Sequence, residues 1–234
     1  MSRANDRARN FARLLKKITK SPVKPPQDVG DPVAVLVMSF LMWDCTSSKA
    51  VTAYKRLMDR IVDFNDLRVS LPHEMVELIG SRYPLALERC QRMRATLRHT
   101  YKREHAVSLE RLAGLPKREI KNYARSLDGI APYVADRMTL LCFGTHSIPV
   151  DDRLRRALVR ADACAESMET IALGSWLARR VKAADALDSH YALQAWVDRV
   201  GDRAPATASA KGAAGTRRKA ASASQAKVAA SRAK

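Results

Sequence analysis

Residues 33–43 (VAVLVMSFLMW) are apolar almost without interruption, which predicts a helix buried on all sides rather than one with a wet face. The run is too short to span a bilayer. Thr46 or Ser47 is placed to cap the next helix. There Val51, Tyr54, Leu57, Met58, Ile61 and Val62 recur at helical spacing and form an apolar stripe. Residues 64–71 read as a connector, and Pro72 suits the first turn of a short helix ending near Ile79. The pattern then predicts a long helix over 83–103, a helical turn at 108–113 and helices over 116–126 and from about 132 to Phe143. Further helices follow from Asp151 to about Ala161, near 167–182 and over 185–199. Of the last two, the first shows Ile171, Trp176 and Leu177 as its apolar positions, the second Leu187, Leu193 and Trp196. No period-two strand pattern appears, so the expected fold class is all-α.

Both ends depart from this body. Residues 1–25 place Phe11, Leu14, Leu15 and Ile18 on one helical face with Arg7, Arg9, Arg13, Lys16, Lys17 and Lys20 around them. A basic amphipathic helix of this kind lies on DNA, lies on a membrane or serves as a transit peptide. The Pro-rich stretch 21–32 reads as a linker. From Gly201 onward thirteen of 34 residues are alanine and, Val228 aside, no aromatic or large aliphatic residue remains. Such a segment buries too little apolar area to offset its ordering entropy and is expected to be disordered. The organisation read from the chain is therefore a basic arm (1–25), a helical body (26–200) and a basic tail (201–234).

Charge sharpens this division. The net charge is +18 over 234 residues; the two ends contribute +7 each and the body only +4. Basic ends of this kind attract polyanions, nucleic acid before an anionic membrane surface. The five arginines of the long helix, Arg89, Arg92, Arg94, Arg98 and Arg103, read mostly as a solvated face. The four cysteines, Cys45, Cys90, Cys142 and Cys164, stand far apart with no CxxC pair. That spacing writes neither a zinc ribbon nor an iron–sulfur loop, and suits reduced thiols in a cytosolic compartment.

Two segments carry candidate chemistry. Residues 127–135 read L-D-G-I-A-P-Y-V-A, and residues 142–153 read C-F-G-T-H-S-I-P-V-D-D-R. The first is a tight turn between two helices, and such a turn aims backbone N–H groups outward where they hold a phosphate. Gly129 permits the turn, and Pro132 fits the first turn of the following helix. In the second segment Asp151 follows Pro149-Val150 and reads equally as a helix N-cap.

In order, spacing and apolar positions these segments resemble the hairpin and the following V-D phrase of the helix-hairpin-helix DNA glycosylases of the endonuclease III type. A weaker helical match spans roughly 31–200. The resemblance implies a helical glycosylase-like body that binds double-stranded DNA through Gly129, Ile130 and Ala131. Arg153, Arg155 and Arg156, just after Asp151, read either as phosphate contacts or as a solvated helix face. It implies base-excision chemistry in which Asp151 is the key carboxylate. Asp128 and Ala131 depart from the family's proline and second glycine. Tyr133 stands where lyase-competent members keep a lysine, so no Schiff base forms there. The implied enzyme hydrolyses the glycosidic bond of a damaged or mismatched base with water. Lys117 and Lys121, just upstream, remain possible substitutes for that lysine. The family's base-gap wedge falls at Met42–Thr46, where Asp44 suits a DNA groove poorly and Trp43 reads as a stacking residue or a core residue. No iron–sulfur cluster or other metal or cofactor is expected, and the implied protein is a monomer in the cytoplasm associated with the nucleoid. The competing reading is a non-catalytic hairpin protein that coats or scans DNA; an RNA-binding relative is a third.

Overall fold

The computed structural model describes residues 3–20 and 30–201; most of the linker and of the basic tail named above lies outside them. The described residues form eleven α-helices and two 3₁₀ turns, with no strand among them. None of the helices is long and apolar enough to cross a membrane.

The first core is built around α2 (Pro32–Met42) and α8 (Pro132–Phe143), which pack along each other. Asp31 caps α2 by accepting from Val33 N at 2.8 Å, and every residue from Val33 to Met42 is buried, as an all-apolar helix requires. Around this pair lie α3 (Ser47–Met58), α4 (Phe64–Val69), α5 (Pro72–Ile79), α6 (Ala86–Glu104) and α7 (Lys117–Arg125). Thr46 caps α3. That helix stops at Met58, and Val62, which the apolar stripe assigned to it, stands 92% exposed beyond its end. The connector expected over 64–71 contains α4, capped by Asp63 on Asp66 N at 2.7 Å.

The second core joins α1 (Arg3–Ile18), α9 (Asp152–Arg160), α10 (Thr170–Ala178) and α11 (Ala186–Val200). Phe11, 1% exposed, meets Trp176 edge-on with ring centroids 5.6 Å apart. Burying one such aromatic ring contributes about 2–3 kcal/mol. Asn10 Nδ2 donates to Asp162 O at 3.0 Å. The apolar face of α1, the segment read from the sequence as a basic arm, thereby completes the second core. In α10 and α11 the inward residues are Leu173, Leu177, Leu193 and Val197, whereas Ile171 and Leu187 face solvent.

One arginine of α6 also departs from the solvated-face reading. Arg89 is fully buried and donates to the carbonyls of Phe40, Trp43 and Pro84. Two of these carbonyls belong to the last turn of α2, whose final C=O groups have no partner within the helix. A guanidinium offers five donors in a fixed fork and so satisfies several carbonyls at once. Arg89 thereby fixes the loop Trp43–Asp44–Cys45 that leaves α2, and this loop runs to the junction of the two cores.

Candidate active site

Asp151 stands at that junction as the N-cap of α9, only 4% exposed. Its Oδ1 accepts from Leu154 N at 2.8 Å and its Oδ2 from Asp44 N at 3.0 Å. Burial, then the nearby Asp44 carboxylate, push its pKa up to about 6. It is therefore mostly ionised at neutral pH, in a place where water screens it poorly.

Tyr133, the second residue of α8, lies beside it. The ring is buried, and the hydroxyl donates to Gln194 Oε1 at 3.4 Å. Burial and the surrounding carboxylates of Asp151 and Asp198 raise the phenol well above its ordinary range, so it stays protonated. Leu154 of α9 and His190, Leu193, Gln194 and Val197 of α11 complete the enclosure. The space left between these side chains is only about 10 Å³, the room of a single water.

His190 is 2% exposed, and its Nε2 has no hydrogen-bond partner among the described residues. Burial and the positive charge of Arg137 hold its pKa down to about 3, so the imidazole is neutral. The sequence reading passed over α11 as a site element. Yet a histidine and a glutamine at 190 and 194 share the helix face of Leu193 and Val197. Polar residues on an apolar stripe are the available signal that α11 lines something.

The hairpin forms between α7 and α8 at Leu127–Ala131. Gly129 has φ +75°, and a Cβ there would stand 2.8 Å from Arg92 O and 3.0 Å from Ala95 Cβ. The glycine is thus required by its contact with α6 as well as by the turn. Ile130 N donates to Leu127 O at 3.3 Å. Ala131 is the N-cap of α8 with φ −85° and ψ 145°. That is extended backbone, so alanine replaces the family's second glycine without strain. No side chain caps α8, which leaves its first turn suited to an anion. Asp128 lies 3.0 Å from His99 Nδ1 of α6. Gly129→Ala is expected to cost about 1–2 kcal/mol in thermal unfolding and to weaken duplex DNA binding with it. Unchanged stability would show that α6 yields freely to the added methyl.

Three expected residues take other roles. Arg153 is 4% exposed and points inward, donating to Cys45 O and pairing with Asp198 at 3.2 Å. It fastens α9 to α11 and to the loop after α2. Lys117 and Lys121 donate to the carbonyls of Phe143 and His146. They belong to the far end of the α7–α8 pair, beyond the residues around Asp151. His146 Nε2 contacts Val181 O at 2.9 Å. Trp43 is half-buried, with the guanidinium of Arg92 5.4 Å above its ring and that of Arg89 at 5.6 Å.

The four cysteines belong to separate elements. They sit in the loop after α2, in α6, in α8 and beyond α9, and burial pushes Cys90 and Cys164 up to about 12 and about 11. Among the described residues no three His, Cys, Asp or Glu side chains converge as metal ligands do.

No protein-family model matches the sequence, and no curated protein matches it. Solved structures do match in fold. An endonuclease III trapped as a covalent intermediate with DNA aligns at a TM-score of 0.65 and 15% identity, covering 88% of this chain and 90% of that one. A thermostable thymine-DNA glycosylase aligns at 0.62 and 16%, covering 87% and 92%. The 8-oxoguanine glycosylase/lyase of Clostridium acetobutylicum, in complex with duplex DNA, aligns at 0.59 and 14%, covering 84% and 71%. The chain has the fold of the helix-hairpin-helix DNA glycosylases.

Proposed function

We propose that this protein is a DNA N-glycosylase of base excision repair that releases a damaged or mismatched base by hydrolysis. The observation that carries this reading is Asp151, a carboxylate held by two backbone N–H groups beside Tyr133 on this fold. Breaking a glycosidic bond builds positive charge on the sugar, and a fixed carboxylate in a poorly hydrated place stabilises that charge strongly. The same group orients or deprotonates an attacking water. Among the described residues around Asp151 no amine stands; on this reading the sugar is attacked by water, and strand cleavage is not coupled to base release.

The partner is double-stranded DNA, bound by a monomer in the cytoplasm at the nucleoid. The hairpin at Gly129, Ile130 and Ala131 and the uncapped start of α8 take the phosphate backbone. The basic ends add a sequence-independent attraction that weakens with salt. No iron–sulfur cluster takes part.

A second reading is favoured by one feature. A nucleobase does not fit in about 10 Å³, which supports a protein that binds DNA without catalysis. Under the first reading the side chains of α11, Gln194 foremost, move aside as the base is extruded. Incubating the protein with duplexes that contain oxidised, alkylated, deaminated and mismatched bases separates the two. Base release from at least one duplex, with intact strands and no borohydride-trapped adduct, is the expected result. Tight binding with no release from any of them leaves the binding-only reading.

A further inference from the structure

Asp44 occupies the loop after α2 and has φ 50°. Left-handed backbone is uncommon for any residue but glycine, and Asp and Asn tolerate it best. At Asp44 it accompanies a two-way connection across the junction of the cores. The Asp44 N–H donates to Asp151 Oδ2 at 3.0 Å, while Asp44 Oδ1 accepts from Arg153 N at 3.2 Å. Asp151 Oδ1 accepts from Leu154 N in the same turn. Two carboxylates, 107 residues apart in the chain, therefore cap one helix N-terminus between them. The rest of the loop is held as firmly, because Arg89 grips Trp43 O and Arg153 Nη1 donates to Cys45 O.

We propose that Asp44 is a positioning residue for Asp151: it locks the loop after α2 onto the start of α9 and so sets both the orientation and the charge of the Asp151 carboxylate. Its catalytic consequence rests on the glycosylase reading; its effect on Asp151 does not. The N–H aims one carboxylate oxygen, and the side chain brings a second negative charge to the first. The surrounding charges are divided. Asp44 faces Asp152, Arg153 and Arg156 of α9 and Arg89 of α6. Asp151 faces Asp44, Arg153 and Tyr133, with neutral His190 beside it and Asp198 and Arg137 beyond Tyr133. Burial raises both carboxyl groups, and after burial the Asp44 charge is the largest influence raising Asp151. Because the loop comes from α2 and the carboxylate from α9, any movement of the loop on DNA alters the group that performs the chemistry.

Asp44→Asn tests this, since asparagine keeps an oxygen for Arg153 N–H, tolerates the left-handed backbone and lacks only the charge. The midpoint of Asp151 is read by ¹³C-carboxyl NMR titration of the full chain without DNA. In Asp44→Asn it is expected to fall by about half a pH unit or more, the effect of one neighbouring charge even in well-screened surroundings. The acid limb of base release is expected to move to lower pH by the same amount, with the rate at neutral pH within a few-fold of wild type. Asp44→Ser, a shorter uncharged cap, is expected to lower the midpoint as well. An unchanged Asp151 midpoint in both variants overturns the inference whatever the catalytic result. A shifted midpoint in a protein that releases no base upholds the inference and removes the glycosylase reading instead.

Discussion

Asp151→Asn is expected to lower base release on the order of 10²-fold or more, with duplex affinity unchanged or slightly higher because a carboxylate near phosphates is gone. The size follows from where the charge sits. Asp151 is 4% exposed and both its oxygens are held by backbone N–H groups, so the carboxylate neither rotates away nor is screened as the sugar becomes positive. Asparagine retains an oxygen for Leu154 N–H and caps well, but its amide nitrogen then opposes Asp44 N–H. Thermal unfolding of the variant therefore accompanies the rate measurement, so that loss of fold is not read as loss of chemistry. The pH dependence has a defined sign. With a pKa of about 6, the ionised form dominates above that value, and base release falls as pH drops through it. Equal rates for wild type and Asp151→Asn would remove Asp151 from the chemistry even if the enzyme class survived. A pH-independent rate between about 5 and 7 would place the required charge elsewhere.

His190→Gln is expected to remove about 2 kcal/mol of acid sensitivity between pH 7 and pH 5. The unfolded chain protonates this imidazole at about the ordinary 6.5, whereas the folded one resists down to about 3. A depressed histidine contributes stability that is fully present above the unfolded value. That stability is lost as pH falls, because the unfolded state alone takes up the proton. Asp151 acts in the opposite sense over the same window. Its raised pKa lets the folded state bind the proton first, so folding gains as pH falls from about 6 toward 4. The net slope of the wild type therefore mixes the two, and the difference between wild type and His190→Gln isolates the histidine. Urea unfolding at pH 5 and pH 7 measures that difference. Identical pH dependence in the two proteins would mean that the imidazole reaches water in the folded state, and hence that the space beside Asp151 is open rather than about 10 Å³.

The order of the helices, α4 aside, was legible in the sequence because it rests on local periodicity. An uninterrupted apolar run allows only a buried helix, as at α2. A glycine and a proline three residues apart mark the hairpin, and a proline-valine-aspartate stretch ahead of a basic amphipathic segment marks the start of α9. Asp151 itself was legible in the same way, as an N-cap, but the junction of the two cores around it was not. What the chain alone misplaced were mostly its charges. Arg89 and Arg153 look like any arginine on a solvated helix face. Each is buried because carbonyls 46 and 108 residues away in sequence come within reach of its guanidinium. The basic helix α1 reads as a separate arm, since nothing near it reveals that Trp176 and α11 will receive Phe11. Asp44 reads as an awkward substitute in a loop until α9 is brought against it and makes it a cap. In each case the side chain's state depends on which unpaired backbone groups the fold delivers to it, and those come from elements distant in sequence. Periodicity along one helix records which face is apolar; it does not record which helix ends or carbonyls will meet the polar residues on the other faces.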